Sequence, residues 1–112
     1  MALDFYATDT KSTGCVGEPL EISVEAHFTI EKVIEPTHDF PLLRRLAGDY
    51  YSSTEWNVQE IADLISEVKK FRLLLANSGY SNEQEVQAFF NDFQVLLTTA
   101  ESKKQGVCTL PD

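Results

Sequence analysis

Few side chains in this sequence could do chemistry. They are two histidines, His27 and His38, two cysteines, Cys15 and Cys108, and a knot of carboxylates and tyrosines in GDYYSSTEW, where Asp49, Tyr50, Tyr51 and Glu55 lie close together. A metal centre would have to join His38 and Asp39 with Asp49 or Glu55, yet no H-E-x-x-H or paired C-x-x-C spacing occurs. No metal and no cofactor is expected. A thiol and base pair of Cys15 with either histidine has little specificity, because it would need a lowered thiol pKa and a base within hydrogen-bond reach. Gly14-Cys15-Val16-Gly17 is G-x-x-G only, without the lysine and helix start that cradle a phosphate. A nucleophile elbow and a dinucleotide fingerprint are also absent, so no catalytic residue is assigned.

The charge balance points toward binding. A net charge of -9 and a pI near 4.5 with dispersed Lys and Arg exclude a protein that tracks nucleic-acid phosphates, whose affinity comes from clustered cations. The acidic bias is heavier in the first half of the chain. Solubility alone would account for it, and a basic protein partner is the sharper alternative. Glu21, Glu25 and Glu31, with Glu18 and Glu35 nearby, would line one exposed sheet face. That row either meets such a partner or keeps the sheet from pairing with another chain.

The elements that must position these residues follow from periodicity. The 112 residues, 43% hydrophobic, suffice for one core and one domain, 1-112. Leu3, Phe5 and Ala7 alternate with Asp4 and Tyr6, a short strand, and Thr8 to Pro19 reads as a loop. Leu20, Ile22, Val24, Ala26, Phe28 and Ile30 alternate with polar residues, the pattern of a half-buried strand with His27 on its wet face. Residues 31-35 finish that strand, bend it or begin a turn; the pattern leaves this open. Asp39 and Pro41 begin a short helix that Gly48 ends.

From Asn57 the period becomes helical. Val58, Ile61, Leu64, Ile65, Val68, Phe71 or Arg72, and Leu75 form one stripe, with Asn57 and Glu60 as a capping box, Trp56 and Ile61 as a hydrophobic staple, and Gly79 as the stop. Ser81 or Asn82 then caps a second long helix, with Gln84 and Glu85 at the matching box positions and Val86, Phe89, Phe90, Phe93, Leu96, Leu97 and Ala100 inside. Gly106 follows its end. The tail 107-112 is either frayed or a strand. The predicted fold is α+β: a small antiparallel sheet of two or three mainly N-terminal strands against a short helix and a long antiparallel helical hairpin.

Met1-Ala2-Leu3-Asp4-Phe5-Tyr6 lacks the basic region of a secretory signal, and no apolar run reaches a membrane span, so a cytoplasmic protein without membrane contact is expected. Two thiols in a reducing cytosol are expected to be free; a bridge would instead tie the first loop to the tail.

With MALDFYATD at its start, a strand-like segment, HDFPLLRRLAGDYYSSTEW and then a helical hairpin, the chain resembles small cytoplasmic bacterial proteins of unassigned function, including toxin-immunity-like proteins. The resemblance is one of size, acidity and layout. It implies a non-catalytic protein-protein interaction protein, an acidic immunity-type inhibitor of a basic partner being its most concrete form. Asp49, Tyr50, Tyr51, Glu55, Glu21, Glu25 and His38 are the expected contact residues, since acidic groups steer encounter and tyrosines anchor interfaces. The alternative is a small enzyme or ligand-binding domain with a pocket between sheet and helices, using His38, Asp39, Tyr50 and Tyr51. The chain is expected to be a monomer or a homodimer, the latter because Leu73, Leu74 and Leu75 widen the first long helix's apolar stripe.

Overall fold

A computed structural model describes residues 3-8, 15-46 and 53-111. The fold is α+β, with a four-stranded antiparallel sheet and three helices. Strand β1 is Leu3–Thr8, β2 is Cys15–Ile22, β3 is Thr54–Trp56 and β4 is Val107–Pro111. The helices are α1, Val24–Ile34, α2, Ile61–Ala76, and α3, Glu83–Ser102.

The sheet has one more strand than the periodicity suggests, and its order is β2-β1-β4-β3. The C-terminal tail is not frayed: β4 lies between β1 and β3, with Phe5 opposite Thr109 and Trp56 opposite Val107. Both outer strands are poor templates for a further chain. β3 has three residues, and in β2 the register against β1 breaks between Phe5 and Ala7, where Gly17, Glu18 and Pro19 stand against Tyr6 alone.

The largest correction concerns residues 23-34. Their two-residue alternation is real, but the chain leaves the sheet at Ile22 and enters α1. Ser23 caps the helix by accepting from the Ala26 N-H at 3.1 Å, Glu25 lies in the first turn and Lys32 in the last, all favourable to the helix dipole. The buried set Ala26, Ile30, Val33 and Ile34 has helical spacing and continues through the stretch 31-35. Val24 and Phe28 consequently face solvent, and the Lys32 ammonium lies 5.1 Å from the Phe28 ring centre. His27 is not on a wet sheet face; it is buried, its Nε2 2.6 Å from the Leu46 carbonyl oxygen.

One face of the sheet covers the core. Phe5, Trp56, Phe89 and Phe93 pack ring on ring, with Phe5 5.0 Å from Phe93 and 5.2 Å from Phe89, both edge-on, and Trp56 6.0 Å from Phe93. Phe90 and Phe71 extend this cluster between α3 and α2 at 4.9 Å. These are the stripes expected of the two long helices. α3 closes with a turn in which Gln105 N-H donates to Ala100 O at 2.8 Å and Lys104, not the expected glycine, takes the left-handed conformation at φ 55°. Cys108 is disulfide-bonded, contrary to the expectation of free thiols, and the chain's one other cysteine, Cys15, opens β2.

Candidate functional site

Between the two layers runs an irregular segment, residues 37-46, with little hydrogen bonding of its own. The expected helix there is reduced to one 3-10 turn, Leu43–Arg45. Asp39 does not cap it. The Glu67 carboxylate, projecting from α2, accepts from the Leu42 N-H at 3.0 Å and the Leu43 N-H at 3.0 Å. Other side chains satisfy the segment's carbonyls. Arg44 Nη2 donates to Thr37 O at 2.7 Å and Asp39 O at 2.9 Å, Trp56 Nε1 donates to Leu42 O at 2.9 Å, and Thr54 Oγ1 donates to Arg45 O at 3.2 Å. So held, Phe40 is buried with φ 62°, a left-handed conformation that costs a bulky L-residue about 1-2 kcal/mol.

This segment, Glu60 and the first turns of α2 form an open groove of about 520 Å³, lined among others by His38, Asp39, Asp63, Ser66, Glu67 and Lys70. Four of its lining residues are carboxylates against one lysine. Two of the four are committed to the fold. Glu67 holds the main chain of the 3-10 turn, and Glu60 serves both its capping box with Asn57, at 3.0 Å in each direction, and an ion pair with Arg45. The Arg45 hydrogen bond holds the Glu60 carboxyl below its ordinary range, the Asn57 N-H adds to that, and Glu60 in turn raises Arg45. The Asp39 and Asp63 carboxylates make neither ion pair nor hydrogen bond among the described residues, and both side chains are exposed.

The expected site residues do not converge. His38 is exposed at the groove. Glu55 is in β3, exposed, opposite Cys108 in the sheet, and its carbonyl accepts from Arg45 Nη1 at 3.2 Å. Glu21 and Glu25, placed on one sheet face by the alternation, are divided by the turn at Ser23: Glu21 pairs in register with Asp4 on the sheet, and Glu25 lies in the first turn of α1. Asp4 Oδ1 is buried there without a hydrogen-bond partner. Asp49, Tyr50 and Tyr51 lie outside the described residues. Of the acidic row, Glu25 and Glu31 belong to α1 and Glu35 is its C-cap.

Asp63 and Glu67 are the groove residues that the sequence reading missed. Their signal was present as a second stripe on α2, Glu60, Asp63, Glu67 and Lys70, displaced from the apolar one. What faces that stripe depends on where residues 37-46 pack. No group of three His, Cys, Asp or Glu able to hold a metal ion occurs among the described residues. No helix among them is long and apolar enough to cross a membrane.

The fold and groove together define a two-layer α+β domain with an acidic cleft at the edge of its helical layer. Compared with protein families, with curated proteins and with solved structures, the chain finds no match.

Proposed function

We propose that this protein is a non-catalytic interaction protein that receives a basic side chain of a protein partner in the acidic groove, as an immunity-type inhibitor would. The observation that carries this reading is the pair of uncompensated carboxylates, Asp39 and Asp63, on opposite walls of a 520 Å³ groove in a chain of net charge -9. A guanidinium or ammonium entering the groove would meet acceptors that the fold does not use. Field focusing by the surrounding carboxylates would speed encounter with a basic surface. His38 stands at the groove's rim among the contacts, whereas Glu21, Glu25 and Glu55 lie on other elements and would act through the long-range field.

The same groove brings His38 and Asp39 together, which is the one observation favouring a ligand-binding or enzymatic role. The imidazole of His38, however, makes no hydrogen bond among the described residues that would fix its tautomer as a general base requires. The groove also lies between the 37-46 segment and α2, not between sheet and helices. As to compartment, the bond at Cys108 favours an oxidising environment over a reducing cytoplasm.

The test is capture of partners from native-cell extract on wild-type protein and on the Asp39→Asn, Asp63→Asn double variant, with identification by mass spectrometry. Basic proteins retained by the wild type, released by moderate salt and lost with the double variant are the expected result. An identical set on both proteins, or a retained set without basic bias, overturns the reading.

A further inference from the structure

On the neighbouring, solvent-facing side of α2 the charge pattern reverses. Where α2 and α3 face away from the core, the exposed residues Lys69 and Leu73 of α2 and Asn91, Val95 and Thr98 of α3 form a strip with no carboxylate, on a chain that carries eighteen acids. Leu73 is 71% exposed and Val95 63%, the two most exposed large apolar side chains among the described residues. A groove of about 290 Å³ runs along the strip beside Val95 and is closed by Arg72, whose guanidinium bonds to Gln87 and Gln94 across the seam of the two helices.

We propose that this strip is an interface between two copies of the chain. A net charge of -9 makes copies repel wherever carboxylates face one another, and this strip is where two copies can meet without that penalty. A basic partner would find nothing here to pair with. The charges that do border the strip suit a two-fold arrangement. Because Arg72 bonds to both Gln87 and Gln94, its turn of α2 is level with the middle of α3, and Lys69, one turn earlier, comes level with the turn that begins at Asp92. A two-fold axis along the helices lays α2 of one copy over α3 of the other. That brings Lys69 toward Asp92 of the second copy, twice, as an isologous interface requires. Leu73 and Val95 then lose water on the same operation. Of the Leu73-Leu74-Leu75 run, only Leu75 is needed inside the monomer, where it is fully buried.

The interface uses none of the groove's carboxylates, which lie on the adjacent face of α2. Sedimentation of the full chain from micromolar to millimolar concentration reads it. The wild type is expected to dimerise with rising concentration, and the double variant Leu73→Glu, Val95→Glu, whose sites are exposed, to stay monomeric with unchanged circular dichroism. Lys69→Glu should weaken the dimer about tenfold, and Asp92→Lys in the same chain should restore it. This second pair tests the interface even if the first variant folds poorly. A monomer at millimolar concentration, a dimer indifferent to both double substitutions, or failure of the charge reversal to rescue overturns the proposal.

Discussion

The layer beneath the sheet and the segment 37-46 are neighbouring parts of one small fold, yet they are held by different forces. Under the sheet, Phe5, Trp56, Phe89 and Phe93 meet ring to ring, and the stabilisation comes from apolar area and close packing. In the segment, Leu43 and Leu46 are buried, but several main-chain groups rely on side chains for their partners. Glu67, Trp56, Thr54 and His27 each reach in from elsewhere to satisfy a main-chain group, and Arg44 folds back on Thr37 and Asp39. The first kind of order tolerates changes of polarity in solvent and is lost by removing volume. The second is lost by removing single polar atoms, because a buried carbonyl or N-H left bare costs its desolvation. The groove sits on the second kind of order, which is why it can present carboxylates to solvent at the edge of a core.

Four changes would break or sharpen this contrast. The largest effect is expected for Phe93→Ala, which removes a fully buried ring touching four others and should cost about 3-5 kcal/mol by denaturant unfolding. A loss much below that would mean the aromatic layer relaxes around the gap. Next is Cys108→Ser, or reduction of the native protein, which removes the disulfide at Cys108 and should lower stability by about 2-4 kcal/mol. Equal melting temperatures with and without reductant would contradict this.

Trp56→Phe separates the two kinds of order within one residue. The replacement ring can still stack on Phe5, as the indole does at 6.4 Å, but the Leu42 carbonyl loses its donor, and a loss of about 1-3 kcal/mol is expected, with amide exchange quickening in residues 40-46 first. The smallest effect concerns Glu60. Its folded pKa is depressed chiefly by Arg45, so its contribution to stability is present above the unfolded value of about 4.3 and is lost as pH falls through the lower folded value. A carbon-13 titration should show the Glu60 carboxyl ionising at lower pH in the wild type than in Arg45→Ala. Identical titrations would remove the ion pair from the account, a modest change in any case for a pair this exposed.

The contrast also explains what could be read without coordinates. α2 and α3 were legible because their apolar residues repeat at helical spacing over four and five turns and their signals are local. The Asn57 and Glu60 capping box forms as expected, and Gly79 does take a positive φ of 77°. The expected cap of α3 is different: Asn82 spends its side chain on α1, accepting from Thr29 Oγ1 at 3.0 Å, while Glu85 accepts from Ser23 Oγ. Those partners are more than fifty residues away in the chain, and no local pattern announces them. Residues 20-30 misled for a related reason. An alternation of eleven residues suits a strand, and it yields to a helix only because Ser23 caps and residues 30, 33 and 34 continue a helical stripe into the core.

By itself, then, the sequence determined the α+β class, the two long helices with their inner faces, and an acidic net charge of -9, because each is set by composition or by spacing within a few turns. Only the tertiary structure decided that the tail becomes an inner strand, that Cys108 is bonded, that His27 is buried, and that Asp39 meets Asp63 across a groove. Each of these depends on contacts between segments far apart in the chain, and such contacts are selected by how the layers pack, not by the local pattern of either segment.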